Sequence, residues 1–465
     1  MKLSEVSKPK SKHPPSSKRS DPPGRIMRYS YLQATLWAIL YVLLVLSPLF
    51  LMLLHPSPQG RGFWMEFGVA LGFVGLAMLA LQFLITGRFR NFAVGFGSDN
   101  LLQFHLATGV VAMCLVLAHP IVIFIADSHY LVFFDPTENF MRAFAMAGIT
   151  IGVVLVVVLS VWRKKVRLIY EWWRISHGLL AFLVLVAGVA HIIQVGHFTD
   201  AWWKQAAIVA IGVAAVALLI HTRLIKPHIL KKFPYRVADV VEERADANTL
   251  VIEAVDHEGM PFEAGQYAWI TVGQTPYSLQ QHPFSFASSA DEPRRLTFTA
   301  KPLGDWTATW SDIEPGTPAY LEGPYGAFTL RWDSPCGSVF LAGGIGITPI
   351  MSMLRTLADR GDERHYVLFY ANKTWEAVIF REEIEELEER LNLEVIHVLE
   401  DPPPWWDGEV GYVEPEVLDR HLPEPCSAYF YYLCGPEPMM DLVESELVNR
   451  DIPLPKIMSE RFEIV

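Results

Sequence analysis

The sequence predicts a multidomain chain: a six-helix transmembrane bundle, then a small antiparallel β-barrel, then an α/β domain built on a parallel sheet. Three observations predict it. The first half holds six long stretches without Asp, Glu, Lys or Arg, and two of them carry histidines paired at equal spacing. After Arg223 the pattern turns abruptly to short alternating strands, and later to a strand–helix rhythm. At 465 residues and 51% hydrophobic, the chain is too long for one domain and too apolar for a wholly soluble one.

The uncharged stretches cover residues 29–60, 67–87, 101–126, 143–162, 175–199 and 205–222. Each is long enough to cross a hydrocarbon core of ~30 Å. The first exceeds what a span needs, and Pro48 and Pro56 point to a kink or loop at its far end. Basic residues set the orientation. Eight Lys or Arg precede the first span; Arg163, Lys164, Lys165, Arg167 and Arg174 lie between the fourth and fifth; Arg223, Lys226, Lys231, Lys232 and Arg236 follow the sixth. The opposite connections offer little beyond Arg61, Arg142 and Lys204. Both termini are therefore expected in the cytoplasm, with membrane lipid around the spans. Residues 1–28 are basic and rich in Ser, Pro and Lys without an apolar run, which reads as a disordered tail and not a signal peptide. The net charge of −12 places the acidic surplus in the second half and gives no support to nucleic-acid binding. Cys114, Cys336, Cys426 and Cys434 lack metal or redox spacing and are expected as free thiols.

His105 and His119 sit in the third stretch, His177 and His191 in the fifth, and each pair is 14 residues apart. Four helical turns separate each pair, so both imidazoles of a helix face nearly the same way, ~21 Å apart along the axis. Side by side, the helices bring His105 to His177 near the inner face and His119 to His191 near the outer one. Ionisable residues in spans are costly and usually functional. Two facing imidazoles suit the two sides of an iron porphyrin, so the reading is two bis-histidine haems in line. A structural zinc is less apt, because its four ligands converge on one point. A single such histidine would be read as a hydrogen-bonded core residue.

In the second half, alternating segments 235–241, 249–254, 267–272, 296–300 and 319–321 are separated by polar, Gly- and Pro-bearing turns, as in a barrel. Segments 339–342, 350–358, 366–370, 381–391, 394–399 and 429–433 then alternate strand and helix, as in a covered parallel sheet. The first of these strands runs into Gly343-Gly344-Ile345-Gly346-Ile347-Thr348-Pro349. Glycines allow close approach of a phosphate, Thr348 is expected to cap the next helix, and Pro349 suits its first turn. Gly304-Asp305-Trp306-Thr307 is a second candidate diphosphate turn, and His282-Pro283-Phe284-Ser285 an extended segment able to line a flat ligand. Cys434-Gly435-Pro436 closes the strand 429–433 at its carboxyl end, where open α/β sheets bind ligands. The run 401–406, with three prolines and two tryptophans, reads as a loop without an assigned role.

With these motifs in this order, residues 29–465 resemble the ferric reductase and NADPH oxidase superfamily. The resemblance implies a haem-binding transmembrane domain (29–226), an FAD-binding β-barrel (232–333) and an NAD(P)H-binding α/β domain (335–465). It implies two b-type haems on His105, His119, His177 and His191. By similarity, His282, Pro283, Phe284 and Ser285 contact the flavin, Gly265-Gln266-Tyr267 borders it, and Gly304, Asp305, Trp306 and Thr307 hold its diphosphate. Gly343, Gly344, Gly346, Thr348 and Pro349 cradle the dinucleotide, Cys434-Gly435-Pro436 lies near the nicotinamide, and Phe462 stacks on the isoalloxazine. Where many relatives carry an arginine segment for the 2′-phosphate, this chain has Lys373, so NADPH is expected, with NADH possible. The implied activity is transmembrane electron transfer from cytosolic NAD(P)H to an outer acceptor, with no acid–base catalyst. Oxygen is the acceptor expected first, giving superoxide. A ferric or cupric chelate, a periplasmic partner or a quinone are the alternatives, and a non-catalytic haem-bearing sensor or scaffold is the reading from another class.

Overall fold

The structure, a computed structural model of the chain, describes residues 31–54, 59–89, 98–166, 169–273 and 275–461. The expected tail, Pro56 and Phe462 lie outside the described residues.

Among the described residues of the first half, six helices are long and apolar enough to cross a membrane. They are α1 (Tyr31–Leu53), α2 (Phe63–Ile85), α3 (Ser98–Ala126), α4 (Phe140–Val161), α5 (Tyr170–Val195) and α6 (Trp202–Ile220). Apolar residues run round every face, as a lipid-facing bundle requires. Pro48 and Pro120 lie within α1 and α3. Along α2, Gly68, Gly72 and Gly75 face α3: an added Cβ would stand 3.0 Å from Ile123, 2.8 Å from His119 and 2.6 Å from Val116. Without side chains there, the two backbones approach closely, which is how helices associate where no hydrophobic force drives them together. The sixth helix outruns the sequence expectation. It continues through a π-turn at His221–Ile225 into Lys226–Leu230, carrying its basic end to the barrel.

The barrel comprises β1 (Tyr235–Glu242), β2 (Asn248–Ala254), β3 (Tyr267–Val272), β4 (His282–Ser285), β5 (Arg295–Ala300) and β6 (Pro318–Tyr325), in the order β4-β3-β6-β1-β2-β5. All its pairs are antiparallel, and a bridge between Phe286 and Phe298 joins the two edges. Val237, Leu250, Ile252, Ile270, Phe298 and Trp310 fill the inside.

The last domain carries β7 (Gly337–Gly343), α7 (Ile347–Asp359), β8 (His365–Asn372), α8 (Arg381–Arg390), β9 (Leu393–Leu399), β10 (Glu409–Val410), α9 (Pro415–His421), β11 (Phe430–Cys434), α10 (Glu437–Asn449) and β12 (Ile457–Glu460). Its sheet, ordered β10-β9-β8-β7-β11-β12, is parallel throughout. Alternate strand residues feed two cores: Phe340, Leu368 and Tyr432 pack under α7, whereas Leu341, Phe369 and Leu433 pack with Met440 and Val443 of α10. The short edge strands β10 and β12 and the helix α9 carried no apolar period long enough to read from sequence. The four cysteines are free thiols.

Candidate functional site

The bundle brings the four span histidines together in pairs. His105 and His177 have ring centroids 6.2 Å apart at 73°, and His119 and His191 have theirs 6.3 Å apart at 74°. The neighbouring hydrogen bonds fix two of the four tautomers. His119 Nδ1 lies 2.8 Å from the Gly68 carbonyl, which only accepts, so Nδ1 carries the proton and Nε2 is bare. Ser160 Oγ donates to the Val156 carbonyl at 2.6 Å and therefore accepts from His177 Nδ1 at 2.9 Å, again leaving Nε2 bare. A cavity of ≈ 190 Å³ opens beside His119 and His191, lined by Gly72, Leu76, Met146 and Gly188 and bounded by Arg61, Tyr130 and Phe198.

On the barrel side of His177 the bundle meets β3, β4 and β6 through a buried ion cluster. Glu322 accepts from Lys226 Nζ at 2.7 Å, from Arg88 at 3.2 Å and from the Tyr325 hydroxyl at 2.7 Å. Arg88 also lies 3.5 Å over the Trp269 ring and donates to Gln281. Burial would raise the Glu322 carboxyl, but Arg88 and Lys226 override it and hold its pKa near about 2.

The flavin candidates converge around β4. His282, Pro283, Phe284 and Ser285 pair with Ile270, Trp269, Ala268 and Tyr267 of β3. Gly265 must be glycine: at φ +95°, an added Cβ would meet the Phe328 carbonyl at 2.1 Å. Gln266 is buried and braces this turn, accepting from the Glu263 amide and donating to the Gly326 carbonyl. The loop from Gly304 folds back so that Trp306 stacks on His282 at 4.8 Å and 22°. Thr307 Oγ1 ties to both the amide and the carbonyl of Gly304, leaving Gly304 and Asp305 exposed. Burial pushes the His282 pKa below its ordinary value against the pull of Glu171, and its Nε2 is buried without a hydrogen-bond partner among the described residues.

Two motifs some ninety residues apart meet where β7 and β11 lie side by side. An added Cβ on Gly346 would stand 2.1 Å from the Cys434 carbonyl, and one on Gly343 2.5 Å from Pro436. The structure corrects one expectation here. Thr348 does not cap the helix, because a 3₁₀ turn at Gly344–Gly346 starts it early; Thr348 lies inside the first turn and its hydroxyl donates to the Ile345 carbonyl at 2.8 Å. Pro349 does fall in the first turn. Lys373 is exposed just beyond β8, and its carbonyl accepts from the Asp401 amide. The tryptophan-bearing loop lies at the same edge, with Trp375 5.9 Å from Trp405 and 5.3 Å from Trp406.

Several residues at these sites were missed from sequence. Lys301 leaves β5 with its ammonium 3.7 Å from where a Cβ of Gly344 would stand, so a barrel cation overhangs the Gly-rich turn. Replacing Lys301 with glutamine is expected to raise the KM for the nicotinamide dinucleotide about tenfold with kcat little changed, since a cation on a diphosphate acts in ground and transition states alike. Steady-state flavin reduction measures it. Ser160 and Glu322 gave no signal, each a lone polar residue whose partner is distant in sequence.

Three protein families match successive parts of the chain. They are the ferric reductase like transmembrane component over residues 71–188, an FAD-binding domain over 233–329 and an oxidoreductase NAD-binding domain over 340–445. The reductase component of propane 2-monooxygenase from Rhodococcus jostii is 29% identical over 49% of this chain, and the match spans 62% of that protein's length. NADH-cytochrome b5 reductase 1 of Debaryomyces hansenii is 29% identical over 49% of this chain and 81% of its own. Ferredoxin–NADP reductase B of Sorangium cellulosum is 31% identical over 46% of this chain and 91% of its own. Among solved structures, a flavohemoglobin from Malassezia yamatoensis covers 87% of this chain and all of its own at 20% identity and a TM-score of 0.46. Membrane-spanning helices fused to FAD- and NAD-binding domains define an integral membrane, NAD(P)H-dependent oxidoreductase. The chain has the domain architecture of the ferric reductase and NADPH oxidase superfamily.

Proposed function

We propose that the protein carries electrons from NAD(P)H in the cytoplasm, through FAD and two b haems, to oxygen on the outer side of the plasma membrane, with both termini cytoplasmic. The observation that carries this reading is the matched spacing of the histidine pairs. A metal–imidazole bond of ~2 Å on each side of an iron, plus the reach to each ring centre, gives centroids about 6 Å apart. Both pairs have that separation, 6.2 and 6.3 Å. Bound at these sites, FAD would supply hydride acceptance with release of single electrons, and haem on the two histidine pairs would supply one-electron relay. The chain's own residues orient and insulate. Gly68 and Ser160 hold the Nδ1 protons of His119 and His177, which leaves each Nε2 free to hold an iron and would strengthen it as a ligand.

By the same reading, Ser285, Phe284 and His282 lie along the flavin, Gly304–Thr307 and Lys301 take diphosphates, and Cys434 with Gly435 and Pro436 borders the nicotinamide. Lys373 is the candidate for a 2′-phosphate, with the acidic Glu400 and Asp401 next to it in the same corner. Both nucleotides therefore belong in the test.

Oxygen is favoured by what surrounds the outer pair. The cavity lining is mostly apolar and aromatic, with Arg61 its one Lys or Arg among the described residues. That suits a small neutral acceptor that gains a negative charge, which Arg61 would stabilise.

Purified protein in detergent is expected to contain two b haems per chain and, with FAD, to oxidise NADPH or NADH with oxygen as acceptor and superoxide as product. Turnover that persists without oxygen on a ferric chelate, and yields no superoxide, would make it a metalloreductase. Haem that neither nucleotide reduces would make it a scaffold. A second expectation follows from α2. Gly72→Ala drives a methyl group to 2.8 Å from His119 Nδ1, so about half or more of the outer haem should be lost while the inner one stays. Haem-to-protein ratio measures it.

A further inference from the structure

Between the flavin candidates and the inner histidine pair runs an unbroken file of aromatic rings. Trp306 faces His282 at 4.8 Å, His282 faces Tyr170 at 6.3 Å, Tyr170 faces Trp173 at 5.7 Å, and Trp173 faces His177 at 5.4 Å. The four interplanar angles lie between 22° and 37°, so the rings are tilted together and none stands edge-on. The file crosses from the barrel to the bundle between His282 on β4 and Tyr170 at the start of α5, and Trp173 and His177 follow on the same helix face.

Two features set it apart from ordinary interface packing. Trp173 Nε1 and His282 Nε2 are both buried without a hydrogen-bond partner among the described residues, so neither ring is held by a polar tie of its own and the contacts along the file are ring on ring. The Arg163 guanidinium lies 5.3 Å from the Tyr170 ring centre and 5.0 Å from that of Trp173. A cation against a ring face is attracted to its electrons and makes them harder to remove. The rings are thereby kept from being oxidised themselves.

We propose that Tyr170 and Trp173 are the bridge through which electrons tunnel from the flavin to the haem on His105 and His177. Tunnelling falls off exponentially across the intervening medium, and packed π-systems carry it further than aliphatic packing or a gap. In each passage the reduced flavin loses one electron and one ferric iron becomes ferrous. The rings are neither oxidised nor reduced, and no proton moves through them. The inference rests on the electron route proposed above.

The test uses full-length protein loaded with FAD and haem, mixed anaerobically with NADPH or NADH in a stopped-flow instrument, following flavin bleaching and haem reduction separately. Trp173→Leu and Tyr170→Leu are expected to slow the flavin-to-haem phase by about tenfold while flavin reduction keeps its rate. Haem midpoint potentials and absorption bands should be unchanged, which a displaced axial ligand would not permit. Trp173→Phe and Tyr170→Phe, which keep a ring, should restore most of the rate. Leucine variants as fast as the parent, or phenylalanine variants as slow as the leucine ones, overturn the proposal. Tyr170→Leu keeps the test decisive if Trp173→Leu disturbs haem binding, because Tyr170 does not touch His177. Failure of the underlying route looks different: the unmutated protein would then lack haem, or its flavin would not be reduced.

Discussion

Replacing His119 with leucine is expected to stop electron flow to the outer side while NAD(P)H still reduces the flavin and the inner haem. Leucine fills much of the imidazole volume and is at home in a span, so α3 should still pack on α2 through Gly68 and Gly75. What disappears is one of the two imidazole rings whose centroids lie 6.3 Å apart across the outer site, together with the Nδ1 hydrogen bond to Gly68. The pair His105 and His177 belongs to a separate level of the same helices and loses nothing. The variant should therefore contain one haem per chain, with superoxide production down by about a hundredfold or more, the scale reached when an essential group of a chain of steps is removed. Haem content and acceptor turnover, measured on the same preparation, check both halves. Undiminished outward flow would mean that His119 is no ligand.

Much of this was legible because apolar periodicity and paired spacing survive in a linear string. Uncharged stretches of span length are a property of composition, and the interval of 14 residues puts two imidazoles on one helix face whatever the neighbours do. The Gly343–Pro349 turn was visible because it directly follows a buried strand. Its meeting with Cys434–Pro436 follows from strand order, which places β7 beside β11. What stayed hidden depends on contacts between distant segments. Ser160 matters through a hydrogen bond to His177 on the next helix, Lys301 through its reach into another domain, and Thr348 was misplaced by a 3₁₀ turn that advances the helix start. The file from Trp306 to His177 draws on a loop, an edge strand and a helix, and no local pattern links them.

Glu322→Gln is expected to loosen the barrel from the bundle. Glu322 stands nearly buried on β6, taking Lys226 from the sixth helix and Arg88 from the end of the second. Removing one partner of such a buried pair costs about 3–5 kcal/mol, because the remaining charges stay desolvated and unpaired. The depressed carboxyl gives a similar scale: a pKa held at about 2, against 4.5 unperturbed, corresponds to about 3 kcal/mol. The sign follows from the depression. The stabilisation is complete above the unperturbed pKa and fades as pH falls from there through about 2, so docking in the parent should be insensitive to pH between 5 and 8. The glutamine variant lacks this contribution at every pH. Lys226 keeps the Gly87 and Arg88 carbonyls, so the helix end should remain ordered while the domains separate more readily. Calorimetry of the full chain in detergent should then resolve an earlier reductase transition, and haem reduction should slow although hydride transfer to flavin does not. If the variant melts with the parent and reduces haem as fast, the ion cluster does not govern how the two halves meet.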